Sequence, residues 1–192
     1  MLGRRLTVSA VRLAAAALAL VVLAPTAAYA VPVEDYASYE PQRWCAPRAK
    51  PGTTVLGRWL VNTYGGGFGP IWRSCAGSSV SEHKEGRAFD WTLDAARAVD
   101  RDRAQTFLDR AFATDGAGNA HALARRMGIM YIIWNDHIYA SYREFEKRDY
   151  LSSSCPTRKK CSKTLRHRDH MHVSLSRAGG RGRTSWYDGR LD

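Results

Sequence analysis

Two stretches far apart in the chain constrain it most: SEHKEGRAFDW at 81–91 and HRDHMHVSL at 167–175. From Arg87 onward apolar and polar side chains alternate, with Phe89, Trp91 and Leu93 on one side and Ala88, Asp90 and Thr92 on the other. A period of two is a strand that buries its aromatic face and presents Asp90 on the opposite one. Residues 171–175 form a second strand, and the same alternation sets His170, His172 and Ser174 on a common face. Gly86 can adopt positive φ, so the chain can turn sharply between His83 and the strand that bears Asp90. A fold that satisfies both segments brings imidazoles and a carboxylate to one sheet face.

That conjunction of residue types is a candidate mononuclear zinc site. Zinc in a hydrolytic site takes three N or O ligands from protein and keeps one position for water, whose pKa falls to roughly 7. Two imidazoles at i and i+2 on a strand can meet one metal or one substrate. His121 and His137 read instead as ordinary histidines, one on a polar helix face and one in a turn.

The first thirty residues have the form of an export signal. Arg4, Arg5 and Arg12 make a basic leader, residues 13–23 are apolar, and Ala28-Tyr29-Ala30 is a small-x-small cleavage site. Pro25 interrupts the apolar run and no second one follows, so no membrane anchor is expected. Cleavage near Ala30 would leave 162 of the 192 residues, enough for a single domain with one core. Of the 29 basic residues three lie in the leader, which leaves 26 against 18 acidic ones and a formal charge of +8. A surface of that sign favours a polyanion; nucleic acid, an acidic membrane face and an anionic cell wall all qualify.

All four cysteines, Cys45, Cys75, Cys155 and Cys161, follow the leader. An even number in an exported chain favours two disulfides among three possible pairings, and proximity in sequence pairs Cys155 with Cys161 and leaves Cys45 for Cys75. A structural Cys/His zinc site is the rival arrangement.

The rest of the pattern describes an α+β domain. Residues 31–52, with four prolines, read as an extended arm, and TTVLGRWLVNTY (53–64) as a strand ended by three glycines. Ala104, Phe107, Leu108, Ala111 and Phe112 recur at helical spacing within 102–113, and Asn119 can cap a second helix that stops at Gly128. IMYIIW (129–134) is a buried strand, and Asn135-Asp136 turns it into a hairpin with residues 137–139. Residues 176–192 are a Gly/Arg-rich tail, expected to be flexible. Strands and helices in this mixed order predict an antiparallel sheet with flanking helices and the site on one sheet face, within a catalytic domain spanning 31–175.

SxHxxGxAxD followed by a distant DxxH resembles the zinc D-alanyl-D-alanine carboxypeptidases of the vancomycin-resistance type. The HxH resembles the wider superfamily of lysostaphin-type peptidases and hedgehog domains. Ser81, His83, Gly86, Ala88 and Asp90 complete the first signature; Asp169 with His172, or His170 with His172, meets the second. The likeness spans Trp72 to Leu175. It implies His83, Asp90 and His172 as Zn2+ ligands and Asp169 as general base, with His170 as base if strand alternation turns Asp169 away. His167 is an accessory candidate, and Ser81 orients a ligand or caps the turn. Arg73 is similar to the arginine that such peptidases place before the first ligand to hold a carbonyl or carboxylate.

The resemblance implies a secreted, wall-associated zinc peptidase. Its substrates would be peptidoglycan stem peptides, cut as a D,D- or L,D-carboxypeptidase or as an endopeptidase, and its surroundings the anionic wall polymer. It would act as a monomer, with no nucleic acid as partner. Two alternatives stand beside it: a non-catalytic zinc-containing wall-binding module and a secreted divalent-metal nuclease.

Overall fold

The computed structural model describes residues 33–46 and 48–191 of the chain. The expected export signal at 1–30 lies outside the described residues. The fold is α+β, a six-stranded antiparallel sheet with four α-helices among the described residues. Its strands are β1 (Gly67–Phe68), β2 (Ala88–Thr92), β3 (Ile129–Trp134), β4 (His137–Ala140), β5 (Lys147–Asp149) and β6 (Met171–Leu175). They lie in the order β1-β2-β6-β3-β4-β5, so the two motif-bearing strands β2 and β6 are neighbours inside the sheet.

Alternation divides the two sheet faces. Phe89, Trp91, Met171, Val173 and Leu175 join Ile129 and Ile132 in one hydrophobic core, packed with Leu56, Leu60, Phe107 and Leu108 from the helices. On the other face, register places Asp90 opposite His172 and Ala88 opposite Ser174. Asn135 and Asp136 both take positive φ, the form that matches a two-residue hairpin turn to strand twist. Tyr131 reaches the site face through an irregularity. Between Ile129, opposite Leu175, and Tyr131, opposite Ser174, the register shifts at a bulge.

Helix α1 (Pro51–Tyr64) occupies the segment whose composition predicts a strand. β-Branched and aromatic residues suggest extension, but Pro51 is preset for a first helical turn and Thr53, Leu56, Gly57 and Leu60 recur as one buried face. Tertiary packing settles it. A Cβ at Gly52 would lie 2.1 Å from the carbonyl oxygen of Gly179, so this helix sits too close to the C-terminal segment for any larger residue. Helix α2 (Ala98–Phe112) begins one turn before its expected start. Helix α3 (Ala122–Arg126) is shorter than expected, and Asn119 does not cap it: its side-chain amide donates to the Asp115 carboxylate. His121 stands at the N-terminus of α3 with φ 54° and bonds the Tyr36 hydroxyl, and His137 opens β4 rather than lying in the turn.

The C-terminal segment also departs from its composition. Residues 177–180 form α4 (Arg177–Gly180), Trp186 and Tyr187 join the core, and the Tyr187 hydroxyl donates to the Met127 carbonyl. Burial of two large aromatic side chains outweighs the flexibility that Gly and Arg content suggests. No helix of the described residues is long and apolar enough to cross a membrane. Both disulfides form as sequence proximity suggests, Cys45 with Cys75 and Cys155 with Cys161, which fits an oxidising environment.

Candidate metal centre

His83 sits in a 3-10 turn, Glu82–Glu85, that ends on Gly86 at φ 68°. A side chain at Gly86 would collide with the backbone oxygen of Arg48, so glycine permits both the left-handed turn and the close approach of the arm. The turn delivers the His83 imidazole to the open face of β2. There His83 Nε2, Asp90 Oδ1 and His172 Nδ1 form a nearly equilateral triangle, with edges of 3.1 Å between the two imidazoles and 3.2 Å from each to the carboxylate. This buried group can hold a metal ion.

Neighbouring groups fix the two rings. His83 Nδ1 lies 3.0 Å from the Ile71 carbonyl, which accepts its N–H and leaves Nε2 with its lone pair towards the triangle. His172 Nε2 lies 2.9 Å from Ser174 Oγ, so Nδ1 is its ligating edge. The Tyr131 ring stacks on His172, with centroids 5.6 Å apart, and its hydroxyl donates to the buried Glu82 carboxylate at 2.5 Å.

Burial favours neutral His172 and holds its pKa below the usual imidazole range, although Asp90 opposes this. Burial alone would raise the Asp90 carboxyl, but the polar contacts with His172 and His83 outweigh it and hold it well below the usual carboxylate range. Neutral imidazoles around an ionised carboxylate are the protonation states that metal binding requires.

His170 stands beside this triangle, its Nε2 3.7 Å from Asp90 Oδ1 and its Nδ1 2.7 Å from Asp169 Oδ1. Asp169 precedes β6, as a base there would have to, yet its carboxylate is turned to its neighbours: Oδ1 to His170, and Oδ2 to the Thr164 hydroxyl at 2.5 Å. Those bonds outweigh burial and keep its pKa below the ordinary value. His170, and not Asp169, lines the cleft.

A cleft of about 530 Å³ opens over the triangle, lined by His83, His167, His170, His172, Arg73 and Tyr131 together with several serines and Thr164. The Arg73 N–H donates to the His83 carbonyl, and its exposed guanidinium meets no carboxylate among the described residues. Ser81 lines the cleft and is the N-cap residue of the turn, with no side-chain hydrogen bond to it, and the Ile71 carbonyl orients His83.

A family model for the VldE C-terminal domain matches residues 45–160, more than half of the chain. The chain belongs to the VldE C-terminal domain family. No curated protein and no solved structure matches it. The VldE C-terminal region holds both partners of the first disulfide, His83 and Asp90, and it stops short of β6. His172, the third member of the triangle, comes from beyond it.

Three contributors were not apparent in the sequence. Glu82 and the Ile71 carbonyl belong to no recognisable pattern, and Tyr131 sits within an apolar strand. Only the bulge in β3 turns Tyr131 to the site, and nothing in IMYIIW marks it.

Proposed function

We propose that the chain is a secreted zinc peptidase that hydrolyses amide bonds in peptidoglycan stem peptides. The observation that carries this reading is the triangle of His83 Nε2, Asp90 Oδ1 and His172 Nδ1 beside the Asp169–His170 pair. Two atoms each about 2.0–2.1 Å from one tetrahedral zinc stand about 3.3 Å apart. Edges of 3.1–3.2 Å fit that figure closely. Two imidazoles and one carboxylate also suit zinc better than magnesium or calcium, which prefer oxygen. Zinc held there supplies Lewis acidity towards a carbonyl oxygen and makes water acidic enough to attack at neutral pH.

The chain's own residues supply the remainder. Asp169 accepts a hydrogen bond from the Nδ1–H of His170 and holds the ring so that Nε2 faces the site as a proton acceptor. From that position His170 takes a proton from the attacking water and returns it to the leaving amine. Asp169 is then the orienting group and His170 the base. Arg73, which meets no carboxylate among the described residues, offers a planar donor pair to a substrate carbonyl or carboxylate. The likeness of SxHxxGxAxD and HxH to the wall peptidases, the two disulfides, the leader pattern and the excess of basic residues all favour a site of action at an anionic cell wall.

The test is incubation of the purified protein with muropeptides, with and without chelator, read by mass spectrometry. A chelator-sensitive mass loss identifies the bond. Unchanged muropeptides with one zinc per chain would favour the wall-binding module, and metal-dependent DNA cleavage without peptide cleavage would favour the nuclease.

A further inference from the structure

His167 takes an uncommon backbone conformation that its neighbours hold in place. Its φ is 49°, left-handed backbone that a β-carbon makes costly. The surroundings enforce it: its N–H donates to the Thr164 carbonyl and its own carbonyl accepts from Asn135. The consequence is an imidazole packed against the His170 ring, 4.8 Å between centroids, and edge-on to Tyr150 at 5.1 Å, in the wall of the cleft.

That ring makes no hydrogen bond among the described residues. Nδ1 is buried without a partner, so Nε2 is the edge left to the cleft. A buried N–H without an acceptor is rarer and more costly than a buried lone pair without a donor. The proton of the neutral ring therefore belongs on Nε2.

We infer that His167 is a substrate-binding residue whose Nε2–H donates to a carbonyl or carboxylate oxygen of a peptide lying in the cleft. The inference rests on the peptidase reading for the nature of the ligand, and on backbone strain and the orphaned ring for the residue. It gives His167 a role distinct from that of His170: a donor that holds an oxygen in place, beside an acceptor that moves a proton. Acetyl-L-lysyl-D-alanyl-D-alanine carries both kinds of acceptor, and its C-terminal amide carries only carbonyls.

Binding of these two probes to the zinc-loaded full chain tests it by calorimetry. His167→Asn tolerates left-handed backbone, but its amide ends near the Nδ1 position; His167→Gln reaches the Nε2 position. The expected result is a Kd about tenfold weaker for His167→Asn, as for loss of one hydrogen bond, with most of the affinity regained in His167→Gln and zinc content equal in all three proteins. If the loss persists with the amide probe, the acceptor is a peptide carbonyl; if it vanishes, the terminal carboxylate. Equal Kd for the wild type and His167→Asn, no rescue by His167→Gln, or no binding by the wild type overturns the inference. Binding with this pattern but no turnover by the wild type would leave the His167 contact standing and remove the peptidase reading.

Discussion

Asp90 and His172 are direct cross-strand partners on two interior strands of the sheet, with Oδ1 and Nδ1 3.2 Å apart. Partners on one face of an antiparallel pair are held about 4.5–5.5 Å apart at Cβ, so backbone pairing itself sets two corners of the triangle. His83 supplies the third from the turn before β2. Replacing His83, Asp90 or His172 with Ala should each abolish zinc retention, whereas Asp169→Asn should leave zinc bound and lower turnover. Metal analysis after gel filtration decides it, and retention of a full equivalent by any of the three alanine variants would sink the ligand assignment.

Acid should weaken the fold in step with the metal site. Burial lowers the pKa of His172 and, with the neighbouring His172 and His170 rings, takes that of His167 down to about 3. Both rings are thus neutral in the folded chain at pH values where an unfolded histidine, near 6.5, takes up a proton. Below that pH the unfolded state binds more protons, so stability falls as pH falls, by up to ~1.4 kcal/mol per unit for each ring. Asp90, with its pKa lowered in the fold, adds a loss of the same sign below about pH 4. The melting temperature of chelator-treated protein should drop steadily from pH 7 to pH 4; a flat profile would contradict the neutral buried rings.

Tyr131 can be dissected by two substitutions. Tyr131→Phe keeps the ring stacked on His172 and removes the hydroxyl from the buried Glu82 carboxylate, at a cost of about 1.5–3 kcal/mol with zinc affinity nearly unchanged. Tyr131→Ala also removes the ring that backs His172, and zinc affinity should fall about 10- to 100-fold. Denaturant titration and competition with a chelating dye separate the two effects. Equal zinc affinity in the wild type and Tyr131→Ala would deny the ring any positioning role.

The two disulfides close loops of different length, spanning 30 and 6 residues. Loop-closure entropy then assigns about 4 kcal/mol to Cys45–Cys75 and about 2 kcal/mol to Cys155–Cys161. Paired Cys→Ser variants should follow that order in urea unfolding. A reversed order would mean that the shorter bridge mainly holds the cleft wall formed by residues 152–154 and 164–167 in place.

Much of this arrangement was legible before the tertiary structure. Period-two alternation located β2 and β6 and assigned Asp90 and His172 to the face away from the core, because strand geometry couples residue parity to direction. Gly86 marked the turn that presents His83. The same local rules failed for α1: Thr53, Val55 and Trp59 favour extension by type, while the buried face of Thr53, Leu56 and Leu60 emerges only against the core and the C-terminal segment. Composition likewise missed the burial of Trp186 and Tyr187.

By itself the sequence determined which side chains could meet, since alternation along a strand and a glycine turn are consequences of local backbone geometry. Only the tertiary structure decided how they meet: which nitrogen of each imidazole faces the triangle, why His170 rather than Asp169 faces the cleft, and how a bulge brings Tyr131 to His172. Those choices depend on hydrogen-bond partners contributed by residues distant in sequence, such as Ile71 for His83 and Glu82 for Tyr131, and no local pattern encodes them.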